Sequence, residues 1–505
     1  MREYIARLPR LIAGSRRATI DTIEPFEPAV SPRQPIDLTD DAAVTEVLNL
    51  AIQVGAVLLD SGTGAIDTQM QVRFVASMYG VENCEVDVTY NTIWVSARRG
   101  TTMPPVTAMK SVHYRSLDFT RLAAVDRLVR KIRNLAIDPG EAHAVIDAII
   151  AAPHPYRRWV ATLAWSSMAG ALSVLLGGGW LVAVVAFLTT AVIDRTNRLL
   201  NKIGTPLFFQ QMTGGFIAVI PAAIVYENRE TLGIDIKPSL VIAAGVVVLL
   251  SGLSLVGSVQ DAITGAPITG CARFFELLIM TGGIISGVGI AIRLMEATGV
   301  YLPTITSTTA FDLANTPVQV TAGGIAAAAF AVASYAEFRA LPTAFFGGAI
   351  GAAIVATAGH FNFGPVISAG IAASMVGLVG GLLARRALTP PLVVAVAGIT
   401  PLLPGLAIYR GLYGLISGQT IDGLTAFGSA IGVGCSLAAG VTLGEFVART
   451  LRRPRIPTRP TRALLTARSA IRPGRMTGEP DVDPEAVTQP LRKSDLRPGL
   501  TDGRI

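Results

Sequence analysis

The sequence predicts an α-helical polytopic membrane protein: about ten transmembrane helices, arranged as two five-helix inverted repeats, with an N-terminal cytosolic α+β domain. Three observations predict it. The mean hydropathy is +0.52, and only 15% of the 505 residues are charged, against about 25% in an average soluble domain. The apolar residues are gathered over 159–447, whereas 1–158 has a soluble composition and 448–505 is basic, Pro-rich and polar. Finally, a stretch beginning at residue 251 realigns with one beginning at residue 404.

The first twelve residues, MREYIARLPRLI, lack an apolar h-region. No cleaved signal is expected, and the N-terminus is expected to stay in the cytosol. Pro25, Pro28, Pro32 and Pro35 interrupt any periodicity, so 1–40 reads as a flexible lead. From Asp40 the run AVTEVLNLAIQVGAVLLDSG places apolar residues at three- and four-residue spacing and stops at Gly62. A second helix is predicted over 66–79. Cys84, Val86 and Val88 then alternate with Glu85, Asp87 and Thr89, the period-two pattern of a strand pair, with a third strand over 106–115. Helices at 119–134 and 140–151 complete a cytosolic α+β domain over 41–158.

Ten apolar runs follow, most of them of the length a helix needs to cross the hydrocarbon layer. Their cores lie near 159–176, 178–193, 207–226, 240–258 and 274–292, then 319–335, 343–358, 365–384, 392–409 and 424–447. Ten such runs in series exclude a soluble protein with buried core helices. They divide into a first membrane half over 159–295, an extracytoplasmic loop over 296–318 and a second half over 319–447. Residues 448–505 are expected to form a basic, disordered cytosolic tail.

Basic residues set the orientation. With the N-terminus inside, thirteen fall on the cytosolic side: Arg157, Arg158, Arg195, Arg198, Lys202, Arg273, Arg339, Arg385, Arg386, Arg449, Arg452, Arg453 and Arg455. Only four fall opposite: Arg229, Lys237, Arg293 and Arg410. Both termini are thus expected in the cytosol, which requires an even number of crossings.

The repeat aligns SGLSLVGSVQDAITGAPITG (251–270) with PGLAIYRGLYGLISGQTIDG (404–423). Gly252 meets Gly405, Ile263 meets Ile416, Thr264 meets Ser417, Gly265 meets Gly418 and Gly270 meets Gly423. Five crossings per unit would invert the second copy, a common plan for alternating access. In the ninth run, Pro401 and Pro404 each remove a backbone donor beside Gly405, and the freed carbonyls need other partners. Corresponding interruptions in two halves point to a transporter's binding site. The expected solute site therefore comprises Ser251, Gly252, Ser254 and Thr264 with Thr400, Pro401, Pro404 and Gly405.

Charge near the spans is sparse. Asp194, Asp261, Arg273, Glu276 and Arg410 are the candidates for coupling or for pairing with a charged solute. They lie near an interface, where snorkelling is the structural alternative. In the soluble region Asp60, Ser61, Asp67, His113 and Asp118 show no nucleophile-elbow or metal-site spacing and read as structural. Cys84, Cys271 and Cys435 are far apart, and the four histidines form no HxxxH pair, so neither a disulfide framework nor a metal site is expected.

These residues resemble the threonine/serine exporter (ThrE) family of bacteria, especially its long actinobacterial type. The likeness rests on LLDSG (58–62), CEVDVTYNTIWVS (84–96) and APHPYRRW (152–159) in the soluble region. In the membrane halves it rests on LLGGGWLVAVVAFLTTAVIDR (175–195), PLFFQQMTGGF (206–216), QDAITGAPITGCARFFE (260–276), RALPTAFFGGAIG (339–351) and PLLPGLAIYRGLYG (401–414). The resemblance implies an N-terminal domain joined to ten spans and efflux of threonine and serine driven by the proton gradient. One departure is that many members carry an Arg-Val-Glu trio where this chain has Asp67, Thr68 and Gln69.

The leading expectation is a proton-coupled exporter of small hydroxylated amino acids in the bacterial inner membrane. Its partners would be threonine or serine and the lipid bilayer, with no nucleic acid and no cofactor; a homo-oligomer is compatible. Split two-subunit relatives suggest dicarboxylate (succinate-like) export as the alternative. A membrane-anchored enzyme or sensor acting through the soluble domain is the alternative of a different class.

Overall fold

In the computed structural model, which describes residues 34–100, 103–112, 117–135, 137–229, 238–249, 252–301, 316–387, 391–416 and 418–452, Asp40 opens the first helix. Its carboxylate accepts the Ala42 N–H at 2.9 Å, a side-chain cap of the kind that starts helices. α1 (Asp41–Asp60) and α2 (Ala65–Met78) pack beside a sheet of β1 (Cys84–Thr89), β2 (Thr92–Ala97) and β3 (Val106–Ser111). The order is β1-β2-β3, antiparallel throughout, with Cys84 opposite Ala97. β1 buries Cys84, Val86 and Val88 and exposes Glu85, Asp87 and Thr89, as the alternation predicts. α3 (Phe119–Asn134) and α4 (Pro139–Ala151) are capped by Asp118 and Asp138.

Gln34 and Ile36, expected within the flexible lead, contact this unit. The Ile36 N–H donates to the Tyr79 carbonyl at 3.0 Å, and the Ile36 side chain joins the core. An apolar residue in the lead thus finds a surface at the end of α2.

The rest of the described chain is helical: α5 (Arg158–Leu175), α6 (Trp180–Lys202), α7 (Leu207–Glu227), α8 (Pro238–Leu249), α9 (Gly252–Thr264) and α10 (Pro267–Ala297). After them come α11 (Thr316–Ala333), α12 (Leu341–His360), α13 (Pro365–Ala387), α14 (Pro391–Ile399), α15 (Gly405–Ile416) and α16 (Thr420–Arg452). α16 runs five residues beyond the expected end of the second half, and Ala448 within that extension is buried.

Eight described helices are long and apolar enough to cross a membrane, or ten if each of two bent pairs counts as one span. One of the eight is α1. It is 67% buried, whereas the other seven are 28–56% buried, so α1 is the core helix of the N-terminal unit and the others turn apolar surface outward. Trp180, Leu188, Phe346 and Phe446 on those helices are exposed, the kind of surface that lipid covers. α5 falls outside the eight. Its buried Thr162, Ser166 and Ser173 point inward and lower its hydropathy.

The bent pairs are the interruptions expected from the sequence. α8 meets α9 at 46°, and α14 with its 3-10 turn meets α15 at 49°. Thr400–Leu402 form that single 3-10 turn, and Leu403 is extended at ψ 134° because Pro404 disfavours a helical residue before it.

Packing in the first six membrane helices recurs in the last six. α5 packs on α6, α6 on α7, α7 on α8 and α10, and α9 on α10; likewise α11 on α12, α12 on α13, α13 on α14 and α16, and α15 on α16. α5 packs on α11, and the cross-contacts are reciprocal, α9 with α16 and α15 with α10. Gly265 (φ +111°) and Gly418 (φ +84°) turn the chain before the two long helices, a backbone only glycine adopts readily. A Cβ on Gly270 would lie 2.5 Å from the Ser258 carbonyl, and one on Gly423 would lie 2.9 Å from the Gly411 carbonyl. The two contacts are the same in the 251/404 register.

The N-terminal unit is joined to the membrane helices by one continuous core, in which Phe119 meets Phe330 edge-on at 6.2 Å. The Phe119 N–H donates to the Ser334 carbonyl at 3.0 Å, and the Tyr156 hydroxyl donates to the Ala336 carbonyl at 2.7 Å. Arg127 pairs with Glu337 at 2.8 Å.

Candidate functional site

α2 begins at a helix start that lacks its own cap: Gly64 occupies the N-cap and has no side chain to offer. The first free N–H, that of Ala65, donates instead to Asp261 Oδ1 on α9 at 2.9 Å. A carboxylate is favoured there, because a helix N-terminus carries partial positive charge. Asp261 is fully buried, and its other oxygen accepts from Arg273 Nη1 on α10. Arg273 is itself 7% exposed.

Above this pair lies a cavity of 230 Å³. Its walls come from the end of α1 (Asp60, Ser61), from α9 (Ser254, Gly257, Gln260, Asp261) and from Arg273. Val396 and Ile399 of α14, Val441 of α16 and Phe119 of α3 close the apolar side. Ser254, Gly257 and Asp261 fall on one face of α9 by helical spacing. The Ser61 hydroxyl is buried without a hydrogen-bond partner, as are Nε and Nη2 of Arg273.

The residues singled out in the sequence separate into groups. Ser254, Asp261 and Arg273 line this cavity. Gly252 starts α9, and Ser251 lies outside the described residues. Thr400 and Gly405 line a neighbouring cavity of 160 Å³, which shares Leu117 and Leu253 with the first. There the Thr400 hydroxyl donates to the Val396 carbonyl of its own helix at 2.9 Å. Pro401 sits in the 3-10 turn, and the Pro404 carbonyl accepts from the Ile408 N–H at 3.0 Å. Thr264 is exposed and bonds back to the Gln260 carbonyl at 2.9 Å.

The other charged candidates lie elsewhere. Asp194 accepts from Thr162 at 2.6 Å and from Arg198 at 2.8 Å. Glu276 accepts the Tyr90 hydroxyl at 3.1 Å, tying α10 to the N-terminal unit. Arg410 on α15 is half-buried beside the stacked Tyr409 and Tyr413. It is not brought to the Asp261 cavity.

Of the five residues without nucleophile-elbow or metal-site spacing, Asp118 is spent on capping α3 and on His154 Nδ1 at 2.9 Å. His113 lies outside the described residues. Asp60 and Ser61, read as structural, line the cavity. No local signal marks them; the start at Gly64, which lacks its own cap, signals only that the cap of α2 comes from elsewhere, here Asp261.

Bent apolar helices around a mainly apolar cavity that carries a few charged and hydroxyl side chains are the features of a polytopic membrane protein. Two family models match the chain, "Putative threonine/serine exporter" over residues 49–295 and "Threonine/Serine exporter, ThrE" over residues 319–447. A "Threonine/serine exporter" of Corynebacterium glutamicum is 48% identical over 444 residues, 87% of this chain and 90% of that protein. A "Probable threonine/serine exporter" of Mycobacterium tuberculosis is 40% identical over 419 residues, 82% of this chain and 78% of that protein. The chain belongs to the threonine/serine exporter family. No solved structure matches it.

Proposed function

We infer that this protein exports threonine and serine across the bacterial cell membrane. The observation that carries the reading is a cavity lined by a carboxylate, a guanidinium and a hydroxyl at a helix break, in a chain 48% identical to a threonine/serine exporter. The exporter acts as two inverted five-helix repeats, counted as α5, α6, α7, α8 with α9, and α10, then α11, α12, α13, α14 with α15, and α16. The recurrent packing and the reciprocal contacts of α9 with α16 and α15 with α10 support a two-fold relation. An odd number of spans per unit sets its axis in the membrane plane.

The bias of basic residues supports cytosolic termini and a cytosolic N-terminal domain. The solute site lies at the two helix breaks, with the proton gradient as the driving force. An enzymatic role for the N-terminal domain is disfavoured by its geometry. The Asp118–His154 pair has the Thr120 hydroxyl nearby, and that hydroxyl is already donated to the Tyr335 carbonyl.

The test is efflux of labelled threonine, serine and succinate from preloaded cells with and without the protein. Threonine and serine leave faster when it is present, and a protonophore abolishes the difference. Acceleration of succinate alone would replace this reading with dicarboxylate export.

A further inference from the structure

We propose that the 230 Å³ cavity binds the exported amino acid between the two regions of the chain. Arg273 holds its carboxylate, and Ser61 of the N-terminal unit holds its side-chain hydroxyl. The proposal rests on the reading of the protein as a threonine and serine exporter.

Three observations carry it. The first is the Arg273 guanidinium, which gives Nη1 to Asp261 and leaves Nε and Nη2 buried without partners. Those two N–H groups form one edge of a rigid fork, and they point in parallel at the spacing of a carboxylate's two oxygens. Buried donors left unmade are costly, and an acceptor bound along this edge removes that cost. The second is Ser61, which is 0% exposed and whose hydroxyl also lacks a partner. A hydroxyl can both donate and accept, which suits a ligand hydroxyl.

The third observation is the charge of the walls: among the described residues, Asp60, Asp261 and Arg273 give two carboxylates to one guanidinium. A zwitterion sets its carboxylate on Arg273 and its ammonium toward the carboxylates. A dicarboxylate would bring a second negative charge to walls whose described residues already carry one net negative charge. The size also fits, since a cavity of about 150 Å³ accommodates benzene and threonine is only slightly larger.

The experiment uses the full-length protein in lipid nanodiscs, with equilibrium binding of labelled L-threonine. Competitors are L-threoninol, which lacks the carboxylate, and L-2-aminobutyrate, which lacks the hydroxyl. On the wild-type protein threoninol competes at least about 10-fold more weakly than threonine. Arg273→Gln weakens threonine by about 10- to 100-fold and threoninol hardly at all. Arg273→Lys recovers only part of the loss, because it keeps the charge without the fork. Ser61→Ala weakens threonine by about 3- to 10-fold and leaves 2-aminobutyrate unchanged.

Equal competition by threonine and threoninol on the wild-type protein overturns the proposal, even if Arg273→Gln fails to fold. So does a loss at Arg273→Gln or Ser61→Ala that is the same for each analogue. Wild-type protein that exports threonine while both variants bind it normally overturns the site alone. Wild-type protein that neither binds nor exports threonine overturns the site together with the functional reading.

Discussion

Asp261 accepts the backbone N–H of Ala65 at 2.9 Å across 196 residues of sequence. A residue of the broken membrane helix thereby caps a helix of the N-terminal unit. The same carboxylate pairs with Arg273, so one buried side chain ties the floor of the cavity to the region that roofs it. Movement at the helix break would therefore be felt at the start of α2, and a change in the N-terminal unit would be felt at the break.

The first prediction concerns this linkage. Asp261→Ala strands the Arg273 guanidinium and uncaps α2. Stranding one partner of a buried pair costs about 3–5 kcal/mol, and losing a cap costs about 1 kcal/mol more. Thermal unfolding of the purified protein should show a large fall in Tm. Adding Arg273→Ala should restore part of it, because the double variant leaves no unpaired charge. Strictly additive losses would mean that the two side chains do not interact.

A second prediction tests the repeated packing. Gly270→Val and Gly423→Val each force a side chain into backbone, since a Cβ would lie 2.5 Å and 2.6 Å from the nearest atoms. Overpacking of this kind costs about 1–3 kcal/mol or more. Both should lower the yield of folded protein by size-exclusion chromatography. Gly428→Val, where nothing lies within 4 Å, should behave as wild type. Tolerance at Gly423 with collapse at Gly270 would show that the two contacts are not equivalent.

Much of this architecture was legible in the sequence because it is written locally. The alternation of Cys84, Val86 and Val88 marked a strand, and Asp40, Asp118 and Asp138 cap the helices that follow them. Pro401 and Pro404 marked the second break by removing backbone donors. The membrane side of the cavity, Ser254, Asp261 and Arg273, was also visible, since polar residues in apolar runs stand out. Its other side was not. Asp60 and Ser61 end a buried helix, and a contact such as that of Ala65 with Asp261, formed across 196 residues, leaves no periodicity to read. Arg410, by contrast, stood out by charge and lies away from the cavity, because charge near a span marks an interface as readily as a site.

The third prediction is topological. Reporter fusions at positions 310 and 470 should fall on opposite sides of the membrane, with 470 in the cytosol. This follows from five crossings after residue 310, with each bent pair counted once. Paired phosphatase and fluorescent reporters would read the two positions independently. Finding both on the same side would mean that one bent pair re-enters the face it came from, and the second unit would no longer be inverted.

The last prediction uses the cysteines as probes of the N-terminal unit. Cys84 is buried on the inner face of β1, and burial pushes its thiol up to about 11. Cys271 and Cys435 are exposed. The thiolate is the reacting species, so a group that titrates near 11 is almost wholly protonated at neutral pH. In a protein that keeps only Cys84, with Cys271→Ser and Cys435→Ser, a water-soluble maleimide should label slowly at pH 7. Between pH 7 and pH 10 the thiolate fraction rises about tenfold for each pH unit, and the labelling rate should rise with it. Denaturant should remove both the delay and the high midpoint, because the unfolded thiol returns toward about 8.5. A stability effect also follows. The folded thiol titrates above the unfolded one, so folding is favoured by Cys84 below the unfolded value, and the contribution is lost as pH rises through the folded value. Rapid labelling of native protein at pH 7 would mean that β1 does not face the core, and with it the docking of the sheet against α1 and α2 would fall.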